Sequence, residues 1–392
     1  MRPGTPGFSG ARLREAREAR GLSVVSLADI AGVSSQAIYQ YEKKGGTSPG
    51  PEVLSKIAAG TNLPESFFLQ SERSQPETTV FYRSLSSATK AARRRANSRL
   101  RWVQDLVAYV EEYVALPELN VPTFELPDDP RLISDTDVEH VADELRRYWR
   151  LGEGPIANMV LLLENQGIVV ARGPLGAEAL DGVSTHDGER PFIFIGTDKG
   201  TPVRWRFDAA HELGHVLLHH NIAQEHFQHP ELHKRIEQQA HRFASSFLLP
   251  LAPFGEDLFA ANLDVLRSLK PKWKTSIAMM IMQAKYGGYI SDDMQRKLWI
   301  TMSRRKWRTN EPLDDTMEPE IPRLLRRSIE LILDEGAQTA ADIVNRLRLS
   351  HADVESLSGL PEGYLSNHSR VSLIGSKESN VVYPHAWRYR NW

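Results

Sequence analysis

The stretch Arg206–His220, RFDAAHELGHVLLHH, decides the reading of this chain. It carries His211, Glu212 and His215 in the order His-Glu-x-x-His. Four residues make slightly more than one helical turn, so His211 and His215 stack on one face, about 6 Å apart along the axis, and both can reach one ion. Zinc suits such a pair, and Glu212 beside it can hold a water from the side and take its proton as the water attacks a carbonyl. His219 extends the same face but lies about 12 Å along the axis from His211, too far to share a tetrahedral ion with it. His219 and His220 therefore read as supporting or surface groups.

A third ligand is sought in the next helical stretch, Ile236–Pro250, IEQQAHRFASSFLLP. Ile236, Ala240, Phe243, Phe247 and Leu248 form its core face, with Glu237 at the edge of that face. Two His and one Glu leave a fourth position open, as a catalytic zinc site requires. The longer metzincin pattern would need Gly at 218 and His at 221; the chain has Leu218 and Asn221, which excludes it.

Upstream, three short runs, GIVVARG, EALDGVST and RPFIFIG, read as strands of a small sheet feeding the His-Glu-x-x-His helix. Before them, Ser134 is placed as the cap of a helix burying Val138, Val141, Ala142, Leu145, Tyr148 and Trp149, and Pro155 as the start of a second helix ending near Gly167. Leu100, Val103, Leu106, Val107, Val110 and Val114 recur at helical spacing, and Pro117, Pro122, Pro127 and Pro130 punctuate an extended linker. The fold class expected is α+β, mainly α. Its parts are an all-α N-terminal domain, a central domain with a small sheet and the His-Glu-x-x-His helix, and a helical C-terminal region.

The 392 residues suit several modules, and 41% hydrophobic residues supply a real core. Cysteine is absent, which rules out disulfides, thiolate nucleophiles and Cys-ligated metals, and fits the cytosol. The N-terminal ten residues lack an apolar run. Apolar runs such as Met159 to Leu163 are far below the roughly 18 residues of a membrane span, so neither secretion nor membrane insertion is expected. The net charge is -2, yet the first 110 residues hold 16 Lys/Arg against nine Asp/Glu. Between Phe81 and Arg101 there are seven basic residues and no acidic one, Arg93, Arg94 and Arg95 among them, which points to a polyanion partner.

The segment SLADIAGVSSQAIYQYEKKG supplies the means. Leu27 and Ala28 face a core, Gly32 permits a positive-φ turn, Val33 fills the turn, and Ser34 caps a helix running to about Lys43. Ser34, Ser35, Gln36, Tyr39, Gln40 and Lys43 are the candidate contacts to double-stranded DNA: Gln can read adenine, Ser a base or phosphate, and Tyr39 the backbone. Over about 60 residues this segment resembles the Cro/C1-type (XRE) helix-turn-helix domain, which implies homodimers on paired half-sites.

From about Leu145 through Pro250 the chain resembles the ImmA/IrrE family of zinc metallopeptidases. The carrying stretches are LRRYWRLGEGPIANMVLLLENQGIVV, RPFIFIGTDKGTPVRWRFDAAHELGHVLLH and EQQAHRFASSFLLP. The resemblance implies His211, His215 and Glu237 as zinc ligands and Glu212 as catalytic base. The family usually has Asn where this chain has His241, a residue that can touch the metal surroundings. Relatives cleave helix-turn-helix repressors and so switch stress, phage or mobile-element genes, and some carry both modules. The region after Pro253 also resembles the C-terminal part of these fused regulators.

The resulting division is 1–71 for DNA binding, 72–130 a helical and Pro-rich linker, 131–251 the zinc metallopeptidase domain and 252–392 a helical region. The function expected is a cytoplasmic transcriptional regulator that hydrolyses a peptide bond in a repressor-like protein partner or in its own linker at Leu116–Pro130. The substrate is expected to enter an edge of the sheet beside Phe192–Ile195. The alternative is a non-proteolytic repressor or antitoxin whose zinc site is structural or sensory.

Overall fold

The computed structural model describes residues 4–71, 80–82, 90–176, 181–186 and 190–371. At the N-terminal end lie α1 (Gly10–Arg20), α2 (Val24–Ala31), α3 (Ser35–Glu42) and α4 (Pro51–Thr61), followed by a 3-10 turn at Glu65–Leu69. Ser9, Ser23 and Ser34 each accept a backbone N–H at the start of α1, α2 and α3, supplying partners for amides that the first turn of a helix leaves open. Gly32 takes φ +67° between α2 and α3, a conformation that a Cβ would strain. Leu27, Ala28, Ile38, Leu54 and Ile57 are buried as their spacing requires.

Strand β1 (Val80–Tyr82) and helix α5 (Lys90–Glu111) come next. The start of the expected linker, residues 72–79, lies outside the described residues. Helix α5 buries Leu100, Val103, Leu106, Val107 and Val110, as the helical spacing predicts. Two of its arginines also reach α1: Arg94 pairs with Glu18 at 3.6 Å while its side chain stays 58% exposed, and Arg95 donates to the Arg20 carbonyl at 3.0 Å. Burial lowers the Arg99 pKa.

The Pro-rich stretch forms no helix or strand over 115–134, but it is tied down. Arg190 donates to the Pro117 carbonyl, Trp149 to that of Asn120, and Gln239 to that of Pro130. Helix α6 (Asp135–Tyr148) begins at a capping box of Ser134 and Asp137. Tyr148 stays half-exposed, unlike Trp149, whose ring packs edge-on against Phe247. Helix α7 (Met159–Asn165) starts four residues after Pro155. Its first amides find their acceptors there: Asn158 Oδ1 takes Leu161 N–H at 2.9 Å and Glu320 Oε2 takes Met159 N–H at 2.7 Å.

Three strands follow: β2 (Val169–Gly173), β3 (Gly182–His186) and β4 (Pro191–Gly196). The start of EALDGVST, residues 178–180, lies outside the described residues, and β3 begins at Gly182. The sheet runs in the order β1-β3-β4-β2, with β2 parallel to β4 and the other two pairings antiparallel. β4 has neighbours on both sides, so it offers no edge to a substrate. On one side of it β2 is an edge of the sheet; on the other side lies β3, whose outer side is paired with β1.

The remaining elements are helical. They are α8 (Pro202–Leu218), α9 (Gln224–Gln228), α10 (Pro230–Leu248), α11 (Leu251–Asp257), α12 (Leu263–Trp273), α13 (Ile277–Tyr286), α14 (Asp292–Arg304), α15 (Leu324–Asp334), α16 (Ala340–Leu347), α17 (His351–Ser358) and α18 (Tyr364–Val371). The fold is α+β and mainly α. Alternation along the strands splits two cores. Val169, Ala171, Val183, Phe192 and Phe194 join α1 to α5 and the C-terminal helices α15 to α18; Val170, Ile193 and Ile195 join α6 to α8 and α10 to α14. In the C-terminal helices Ile343 and Val354 are buried in the first core. Arg20 of α1 reaches Asp353 of α17 at 2.5 Å.

Candidate metal centre and nucleic-acid interface

Helices α8 and α10 lie against each other closely enough that a Cβ on Gly214 would come within 3.3 Å of Ala240 Cα. That approach brings the faces bearing His211, His215 and Glu237 together. His211 and His215 are fully buried, and the Glu237 side chain is 14% exposed. The two Nε2 atoms stand 3.1 Å apart, while Glu237 Oε2 is 3.3 Å from His211 Nε2 and Oε1 is 3.2 Å from His215 Nε2. Around a tetrahedral ion with bonds of about 2.0–2.1 Å, neighbouring ligand atoms sit about 3.3 Å apart, so this donor set has the right edge lengths.

The protonation of His215 follows from its surroundings. Gln239 Nε2 donates to the carbonyls of Pro130 at 2.8 Å and Ile133 at 2.9 Å, which fixes the orientation of its amide. Gln239 Oε1 must then accept, and it takes His219 Nε2–H at 3.3 Å. Burial, with the neighbouring His215 charge adding to it, lowers the His219 pKa well below the usual imidazole range, so this ring is neutral and its Nδ1 can only accept. His215 Nδ1, 2.9 Å away, is the donor. His215 Nε2 is then the nitrogen that faces the carboxylate of Glu237, an arrangement suited to a cation between them.

Glu212, fully buried, faces the other way, toward the sheet. Ser184 of β3 donates its hydroxyl to Glu212 Oε2 at 2.6 Å, fixing the carboxylate's orientation. Sequence reasoning passed over Ser184, although strand alternation with inward Val183 would have placed it on the helix side. His241 stands with its ring centroid 4.6 Å from that of His211 and bonds the Glu237 carbonyl through Nδ1 at 2.9 Å. A carbonyl only accepts, so Nδ1 carries a proton. His233, one turn before Glu237, has its pKa lowered to about 4 by burial and by the nearby charges of His215 and Arg93.

At the other end of the molecule, α3 presents the expected DNA-facing residues. Ser34, Gln36 and Lys43 are exposed, Tyr39 is 59% exposed, and Ser35 and Gln40 are half-exposed. Ser34 is also the cap of α3, accepting Ala37 N–H at 3.2 Å. Glu42, at the end of the same helix, is buried and ion-paired to Arg17 at 2.5 Å, which locks α3 against α1. Among the described residues no helix is long and apolar enough to cross a membrane.

Two family models match this chain. Residues 13–68 match the family model described as helix-turn-helix, and residues 163–284 match the one described as IrrE N-terminal-like domain. The N-terminal region is also 46% identical over 57 residues to a protein of Methanocaldococcus jannaschii whose name places it among HTH-type transcriptional regulatory proteins. That match covers 14% of this chain and 18% of the relative. The chain joins an XRE-type helix-turn-helix region to an ImmA/IrrE-like peptidase region in one polypeptide.

Proposed function

We propose that this protein is a transcriptional regulator that binds double-stranded DNA through α3 and hydrolyses a peptide bond in a repressor-like protein partner. Residues 1–71 serve DNA binding, 131–251 form the peptidase, and 252–392 support both. His211, His215 and Glu237 would hold zinc, consistent with the spacing of their donor atoms. Zinc supplies polarisation of the scissile carbonyl and activation of water. Glu212 takes the proton from the attacking water and returns it to the leaving amine. Ser184 keeps that carboxylate aimed, and His241, beside His211, offers Nε2 at the rim of the site.

The Ser184–Glu212 hydrogen bond carries this reading. A zinc that only braces the fold needs no clamped carboxylate beside its ligands. The test is incubation of zinc-loaded protein with candidate repressors, beside a Glu212→Gln control. Cleavage that disappears in the control supports the peptidase. Full zinc occupancy with no cleavage of any candidate would instead support a sensory or structural role.

A further inference from the structure

We propose that the outer edge of β3 is the peptide-docking edge of this site and that the chain itself keeps it closed, with Val80–Tyr82 as a tethered competitor. The inference deepens the peptidase reading by naming the regulation of the same site. It starts from the backbone. β3 pairs with β4 on one side, so its other side would present a row of free N–H and C=O groups, a template for any extended chain. β1 occupies that row in antiparallel register, Val80 against Thr185, Phe81 against Ser184 and Tyr82 against Val183.

The position is not neutral. Ser184 is the residue whose hydroxyl holds Glu212 at 2.6 Å, so the central residue of β1 is paired with the very residue that positions the base. A substrate laid along β3 to reach Glu212 would need the backbone groups that β1 uses. Both ends of β1 lead quickly into fixed structure: the 3-10 turn ends at Leu69 and α5 begins at Lys90. A segment tethered that closely acts at an effective concentration on the order of millimolar. Three residues form only a few hydrogen bonds, so a longer peptide can replace them. The arrangement favours partners that offer a long extended segment and suppresses casual cleavage.

The test is run on the full chain with Glu212→Gln, so that nothing is hydrolysed. The probe is a dye-labelled peptide of residues 78–84, TTVFYRS. Val80→Pro and Phe81→Pro are compared with the parent, because adjacent strand residues direct their N–H groups to opposite sides and one of the two must face β3. A third variant replaces residues 78–84 with a Gly/Ser sequence, opening the edge without proline. The expected result is at least tenfold tighter probe binding in the opened variants. Hydrogen exchange at Val183–Thr185 should be faster there and slow again when the probe is added. Equal binding and equal exchange in the parent and all three variants would overturn the proposal. Restoring Glu212 gives a separate arm: opened variants should cut a protein substrate faster than the parent. Absence of cleavage throughout would count against the peptidase while leaving the docking result standing.

Discussion

His219 stands directly behind His215, their Nδ1 atoms 2.9 Å apart, and it passes the orientation set by two backbone carbonyls through to the nitrogen that faces Glu237. Groups that orient a ligating imidazole are usually worth 10–100-fold in metal affinity or activity. His219→Ala should therefore weaken zinc binding by about that factor, measured by competition with a chromophoric chelator. His220→Ala should leave it unchanged, because His220 bonds only the Leu217 carbonyl of its own helix. Equal losses in both variants would dissolve the assigned chain from Gln239 to His215.

Ligands and base should separate cleanly. His215→Ala is expected to lose the metal, whereas Glu212→Gln should retain it and lose hydrolysis. Ser184→Ala should keep the metal and lower kcat by about 10–100-fold, since a hydrogen bond to a charged group is worth roughly 1.5–3 kcal/mol. Metal analysis beside a steady-state assay reads all three. Full occupancy after Glu237→Ala would remove that carboxylate from the ligand set.

Glu164 offers a pH test remote from the metal. It is 1% exposed, and its carboxylate accepts the N–H groups of Arg323 and Leu324 at the start of α15. Burial raises its pKa from 4.5 to about 7, against the lowering effect of those N–H bonds. Between these values the folded state binds more protons than the unfolded one, so stability falls as pH rises through the window. The loss is at most about 3 kcal/mol, and Glu164→Gln should flatten the dependence. Urea midpoints at pH 5 and pH 8 measure it; a slope retained in the variant would assign the effect elsewhere.

On DNA, Gln36→Ala should cost roughly 1–3 kcal/mol on a preferred site and little on random duplex, as expected for loss of a base contact. Equal weakening on both would withdraw that contact. Arg95→Ala should behave differently, lowering thermal stability through the lost bond to the Arg20 carbonyl with no preference among DNA sequences.

Much of this molecule is legible in its sequence where a period repeats for several turns. Helix α8 was legible from the His-Glu-x-x-His pattern and α10 from its apolar spacing, which set Glu237 at the edge of the core face. The limits have physical causes. Spacing along one helix judged His219 too far to be a ligand, but it could not show Gln239 arriving from another helix to make it a support. Pro155 looked like a helix start because its φ suits one, yet the acceptors for the first amides come from Asn158 and from Glu320, far along the chain. Spacing within the run Arg93–Arg95 could not show that Arg94 and Arg95 also reach Glu18 and the Arg20 carbonyl of α1. β1 was missed because three residues carry no period at all.

The two-core division also changes what a cut in the linker would accomplish. The DNA-binding helices share their core with α5 and α15 to α18, and Arg20 is pinned to Asp353, more than three hundred positions away in the chain. Cleavage within Leu116–Pro130 would give two fragments on a denaturing gel, yet the halves would still migrate as one particle under native conditions. Such a nick would not eject the DNA reader; at most it would let one half breathe against the other. Release of an operator by this protein would then come from rearrangement within a persistent assembly, or from destruction of some other repressor, rather than from the shedding of its own headpiece.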